Sequence, residues 1–161
     1  MSQWTHVSGN IRIDSLFGID DLTLEILEEI LGKVIDFEDE GEWETKLPLG
    51  SEGSIKYVIW ENPRESALAH YSVSIFGDLR NYDDVNEIEK WFEGVLFSKY
   101  NIISRKTKKP FEAHLIIRDA VLSIDVEYQD KVVLVYRHIE KKLGEYEEKV
   151  EKIILKREEL K

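Results

Sequence analysis

A chain of 161 residues, 42 % hydrophobic and 11 % aromatic, has a globular composition and is long enough to bury one core. Having no cysteine, it lacks a disulfide framework, a thiolate metal site and a cysteine nucleophile, which fits a reducing compartment. A formal charge of −11 argues against direct nucleic-acid binding, which uses Lys and Arg to displace counterions from phosphates.

Trp4 to Asp14 alternates, with Val7, Gly9, Ile11 and Ile13 on one side and His6, Ser8, Asn10 and Arg12 on the other. This predicts a first strand with one covered face. No basic stretch with an apolar run precedes it, and nowhere do about 18 apolar residues follow one another. A soluble cytoplasmic protein is expected. After a loop at Phe17-Gly18, Leu22, Ile26, Ile30 and Leu24, Leu27, Leu31 recur at helical spacing between Asp20-Asp21 and Gly32. A short helix with an acidic outer face follows from that spacing.

Asp36 to Pro48 is too charged and irregular to periodise and is expected to be a loop anchored by Trp43. Asp14 to Glu44 holds twelve carboxylates against the single cation Lys33, so this segment carries the whole net charge of the chain. Charge so concentrated makes a one-sided field. Its loop half, Asp36, Glu38, Asp39, Glu40, Glu42 and Glu44, is the candidate protein-binding surface; the alternative is a segment that only keeps the chain soluble.

Gly50-Ser51-Glu52-Gly53 is turn chemistry, lacks the lysine of a phosphate-binding loop, and precedes a strand from Ser54 to Glu61. Asn62-Pro63-Arg64 ends that strand, and Leu68 to Phe76 forms the next, giving an antiparallel hairpin. Asp84 with Glu87 three residues on has capping-box spacing, and Ile88, Trp91, Phe92, Val95 and Leu96 mark a second helix. The basic run Arg105-Lys106-Thr107-Lys108-Lys109 is a solvated loop or the contact for one phosphate. Phe111 to Tyr128 is strand-like with a break at Arg118-Asp119-Ala120, and Lys131 to Arg137 completes a hairpin across Gln129-Asp130.

From His138 the spacing turns helical. Ile139, Leu143, Tyr146, Val150, Ile153, Arg157 and Leu160 alternate intervals of four and three, a heptad seam. Leu143, Tyr146, Val150, Ile153 and Leu160 are the candidate oligomerisation residues of a homodimer; the alternative is a helix packed on its own domain. The expected fold class is α+β: a ferredoxin-like antiparallel sheet (βαββαβ plus an extra strand) over residues 1–138, followed by a long C-terminal helix over 139–161.

Chemistry is sparsely signalled. His6, His70, His114 and His138 stand singly, without metal-ligand spacing. Asp14, Asp119 and Asp125 are the weak basis for a metal-dependent hydrolase or nuclease, with solvated strand ends as the alternative. No catalytic residue, metal ligand or cofactor is assigned. Arg12, Arg80 and Arg118 with Trp4, Trp60 and Tyr82 are candidate ligand-binding residues, because guanidinium forks match phosphate and carboxylate geometry and aromatic rings stack on bases. The competing reading pairs these arginines with Asp14, Asp78 and Asp119.

Trp4-Thr5-His6-Val7-x-Gly9-x-Ile11-Arg12, Gly50-Ser51-Glu52-Gly53-Ser54, Trp60-Glu61-Asn62-Pro63 and Gly77-Asp78-Leu79-Arg80-Asn81-Tyr82 give the first hundred or so residues a wording that resembles small proteins encoded by bacteriophages and prophages. The resemblance implies a viral accessory protein made in the bacterial cytoplasm and acting against host defence. The expected function is therefore a non-enzymatic inhibitor that docks its acidic surface on a host protein or sequesters a small anionic, nucleotide-like signal. A metal-dependent hydrolase and a phage assembly protein are the alternatives.

Overall fold

The computed structural model describes residues 2–14, 22–35, 45–62, 70–104 and 107–157. Along the chain run β1 (Trp4–Asp14), α1 (Leu24–Leu31), β2 (Lys56–Glu61), β3 (Tyr71–Arg80), α2 (Val85–Leu96), β4 (Lys99–Ile103), β5 (Pro110–His114), β6 (Ile116–Val126), β7 (Lys131–Lys142) and β8 (Glu145–Leu155). β1 alternates as its sequence predicts, burying Val7, Ile11 and Ile13 and exposing His6, Ser8 and Arg12.

Six strands form one antiparallel sheet in the order β2-β3-β1-β6-β7-β8, and β4 and β5 pair separately. One face of the large sheet supplies Ile11, Val73, Ile75, Leu122, Ile124 and Leu134 to the core. Leu27 and Leu31 of α1, Ile88, Trp91, Phe92 and Leu96 of α2, and Tyr100, Ile102 and Ala113 of the β4–β5 pair join the same core. Fully burying one such large apolar side chain contributes about 1.5–3 kcal/mol. A one-residue slip of β1 would turn Val7, Ile11 and Ile13 outward and lose several such contributions, so its register is strongly specified.

Local chemistry sets the helix ends. Thr23 Oγ1 accepts from Ile26 N at 3.2 Å and Asp84 Oδ1 from Glu87 N at 3.2 Å, each satisfying an orphan first-turn donor. Gly32, with φ of 110°, closes α1. The Trp91 indole donates to Leu31 O at 2.9 Å and ties the second helix to the end of the first.

The expected ferredoxin-like α+β fold with a long C-terminal helix is overturned. The protein is mostly β, with two helices and a six-stranded sheet among the described residues. In place of the terminal helix, β7 continues to Lys142, turns through Leu143-Gly144 and returns as β8, paired from Lys131↔Leu155 to Lys142↔Glu145. Gly144, at φ of 83°, supplies the left-handed residue that the turn needs. Glu and Lys favour helices, but propensity yields to tertiary pairing with the apolar run Val132-Val133-Leu134-Val135, three of whose four residues are β-branched. The heptad seam is dispersed: Tyr146 and Val150 lie on the core side of the ribbon, Ile139 and Ile153 on the other, and Leu143 is fully exposed at the turn. Leu160 lies outside the described residues.

The expected break at Arg118-Asp119-Ala120 is a bulge. Arg12 faces Asp119 and Ile13 faces Ile117, leaving Arg118 as the extra residue. The strand is interrupted instead at the buried Leu115, between β5 and β6.

Candidate functional site

Each strand that buries one set of side chains turns the other set to the second face, and the register fixes which of these become neighbours. Trp60, Ser72, Arg12 and Asp119 lie side by side across β2, β3, β1 and β6. The next row is Val58, Ser74, Asn10, Val121 and Val135, and the one after it Lys56, Phe76, Ser8, Ser123 and Val133. A strip of short polar side chains (Ser72, Ser74, Asn10, Ser8, Ser123) therefore runs between two apolar shoulders. On one shoulder Trp60 is 59 % exposed, Phe76 45 % and Val58 39 %; on the other Val121 is also exposed. Trp60 Nε1 donates to Ser74 Oγ at 3.1 Å, which lays the indole across β3.

Charged clamps close both ends of the strip. At one end the Arg12 guanidinium forks onto Asp119, with Nε to Oδ1 at 2.9 Å and Nη2 to Oδ2. Arg118 approaches Asp14 at 3.9 Å beside them. At the other end His6 is held between two carboxylates, Nδ1 to Asp78 Oδ1 at 2.6 Å and Nε2 to Glu127 Oε1 at 3.4 Å. Asp125 faces His6 from β6. The Asp78 hydrogen bond, opposed by partial burial and aided by Glu127, raises the His6 pKa above 6.5. An imidazolium donating from both nitrogens is a cross-strand clamp; in that form it has no lone pair to act as a base.

The six ligand-binding candidates do not converge. Arg12, Arg118 and Trp60 share one end of the open face, whereas Trp4 faces Arg80 eight residues along β1, roughly 26 Å from Arg12 at strand rise. Tyr82 is buried in the core, and its carbonyl accepts from Thr5 Oγ1. Arg80 is engaged by Glu52 at 2.6 Å and by Ser2 Oγ at 2.8 and 3.0 Å. The turn at Gly50–Gly53 docks on the same strand end, with Ser51 N to Arg80 O at 3.0 Å and Arg80 N to Glu52 O at 2.9 Å.

Asp36, Glu38, Asp39, Glu40, Glu42 and Glu44 lie outside the described residues, as do Phe17-Gly18, Trp43, Pro63-Arg64 and Arg105-Lys106. Glu25, Glu28 and Glu29 of α1 line an open groove with Lys33, Lys46 and Tyr57. Among the described residues no group of three His, Cys, Asp or Glu is placed to hold a metal ion, and no helix is long and apolar enough to cross a membrane. Asp14 and Asp119 each have an arginine partner, and Asp125 lies farther along the sheet opposite His6.

No family model, curated protein or solved structure matches the chain. The apolar shoulder was missed in the sequence, although a signal for it exists. β2 places Tyr57 and Ile59 toward the core and also carries Val58 and Trp60 on the opposite face, an apolar run where a half-covered strand would alternate with polar residues.

Proposed function

We propose that this chain is a non-enzymatic binding protein that receives a partner protein on the open sheet face. The observation that carries the reading is the exposed cluster Trp60, Val58 and Phe76 beside a strip of Ser and Asn. Aromatic side chains are enriched at interface centres, and Trp is among the residue types most enriched in binding hot spots. A protein partner is favoured over a small anion because Arg12, Arg80 and Arg118 already face Asp119, Glu52 and Asp14.

The resemblance to phage accessory proteins would make the partner a bacterial defence component and the site of action the host cytoplasm. On this reading the acidic segment 36–44 speeds encounter with a basic partner, and the apolar shoulder supplies the lasting contact. The test is capture from bacterial lysate by the wild type and by Trp60→Ala and Phe76→Ala, each checked for native circular dichroism. A partner retained by wild type and lost by both variants is expected, with Glu38→Gln/Asp39→Asn/Glu40→Gln/Glu42→Gln slowing association mainly at low salt. A partner that all variants hold equally, a nucleotide-induced thermal shift abolished by Arg12→Ala, or turnover that EDTA stops would each overturn the proposal.

A further inference from the structure

β8 is a strand of eleven residues at the edge of the sheet, paired among the described residues with β7 alone. Such an edge presents a row of backbone donors and acceptors to any strand whose side chains fit. Its most exposed large apolar side chains are Tyr146 at 59 % and Ile154 at 57 %, and its charges are Glu145, Glu147, Glu148, Lys149, Glu151 and Lys152.

We propose that β8 pairs antiparallel with β8 of a second copy, in the register centred on Val150, joining two sheets into one. Side chains directly opposite in an antiparallel pair share a face, and a two-fold axis normal to the sheet keeps every residue on its own face. Opposed residues must then differ by an even number, so the centre falls on a residue. Centring on Glu148, Glu151 or Lys152 opposes that residue to itself, and centring on Lys149 opposes it to itself and Glu147 to Glu151. Centring on Val150 sets Lys149 against Glu151, Glu148 against Lys152 and Tyr146 against Ile154, each twice by symmetry, while Glu147 and Glu145 meet Ile153 and Leu155.

The same register thus neutralises the charged pairs and covers the exposed apolar pair, with no like charges opposed. Within one chain Glu151 already bonds Arg137 at 2.9 Å, and Glu148 approaches His138 at 3.5 Å. In the dimer each of these carboxylates gains a lysine from the other copy. Registers that would let β8 recruit strands indiscriminately are opposed by Lys149 and Lys152. The proposal is independent of the open-face reading, since Trp60 lies on β2 at the opposite edge of the sheet.

The experiment is sedimentation velocity on the full chain over a concentration series, with three samples beside the wild type. Lys149→Glu/Lys152→Glu and Glu148→Lys/Glu151→Lys each create like-charge pairs across the axis and are expected to weaken dimerisation roughly tenfold or more. Their equimolar mixture restores every opposed pair and is expected to recover the dimer. The chain has no cysteine, so Val150→Cys under mild oxidation is expected to cross-link to itself while Glu147→Cys does not. A monomeric wild type overturns the proposal, as does a dimer that neither charge variant weakens or a mixture that stays monomeric although both variants keep native circular dichroism.

Discussion

Gly9 and His6 show how single residues on β1 act across the sheet. A Cβ at Gly9 would lie 2.3 Å from Val121 O and 2.8 Å from Leu122 Cδ1, so the glycine is what lets β6 approach with Leu122 folded over it. The alternation of β1 placed Gly9 on the covered side; its close contact with β6 depends on a pairing more than a hundred residues distant. His6 carries a pH dependence for the same reason. Its folded pKa lies above 6.5, chiefly through the Asp78 hydrogen bond. The stabilisation is therefore fully present below pH 6.5 and is lost as pH rises through the higher folded value. Urea midpoints measured as pH rises from 6.5 should fall more steeply for the wild type than for His6→Gln. A flat wild-type profile would contradict the clamp; a small slope is expected, because His6 and Asp78 are both well exposed.

Elements differ in how far their local chemistry decides them. α2 was legible because its cap and its apolar spacing agree: Asp84 accepts from Glu87 N, and Ile88, Trp91, Phe92, Val95 and Leu96 are buried. Asp84→Ala should cost about 1 kcal/mol in a denaturant titration, since it removes the acceptor for a first-turn donor. An unchanged midpoint would mean that packing alone holds the turn. β8 was illegible because four-and-three spacing occurs within a charged amphipathic strand as readily as in a helix over so few repeats. The deciding residue is Gly144, whose positive φ converts the segment into a hairpin and puts Tyr136 opposite Val150. The split of Phe111 to Tyr128 at Leu115 was illegible too, because nothing in the uninterrupted apolar triplet Leu115-Ile116-Ile117 says that the halves of this strand-like stretch join different sheets.

At the scale of the molecule, central strand β1 pairs with β3 and β6, so the sheet closes only through contacts of long sequence separation. β7 and β8 belong to this sheet, which bears on the boundary at residue 138. Ending the chain at His138 removes β8, cuts β7 short of its turn, and takes away Val150 beside Tyr136 and the Lys152 to Glu89 bond at 3.1 Å. The truncated chain should lose cooperative unfolding in urea; a sharp transition would show that residues 1–138 fold by themselves. The sequence by itself determined the strand β1, the presence of the two helices with the Gly32 stop of α1 and the Asp84 cap of α2, the β2–β3 hairpin and the location of the negative charge, because alternation, caps and turn residues act within a few positions. Only the tertiary structure decided that the C-terminal segment is a strand, that Arg12 and Arg80 lie at opposite ends of the open face, and that Val58, Trp60 and Phe76 share one patch on that face. Those outcomes depend on which strands become neighbours, and strand partners are chosen by the packing of the whole core.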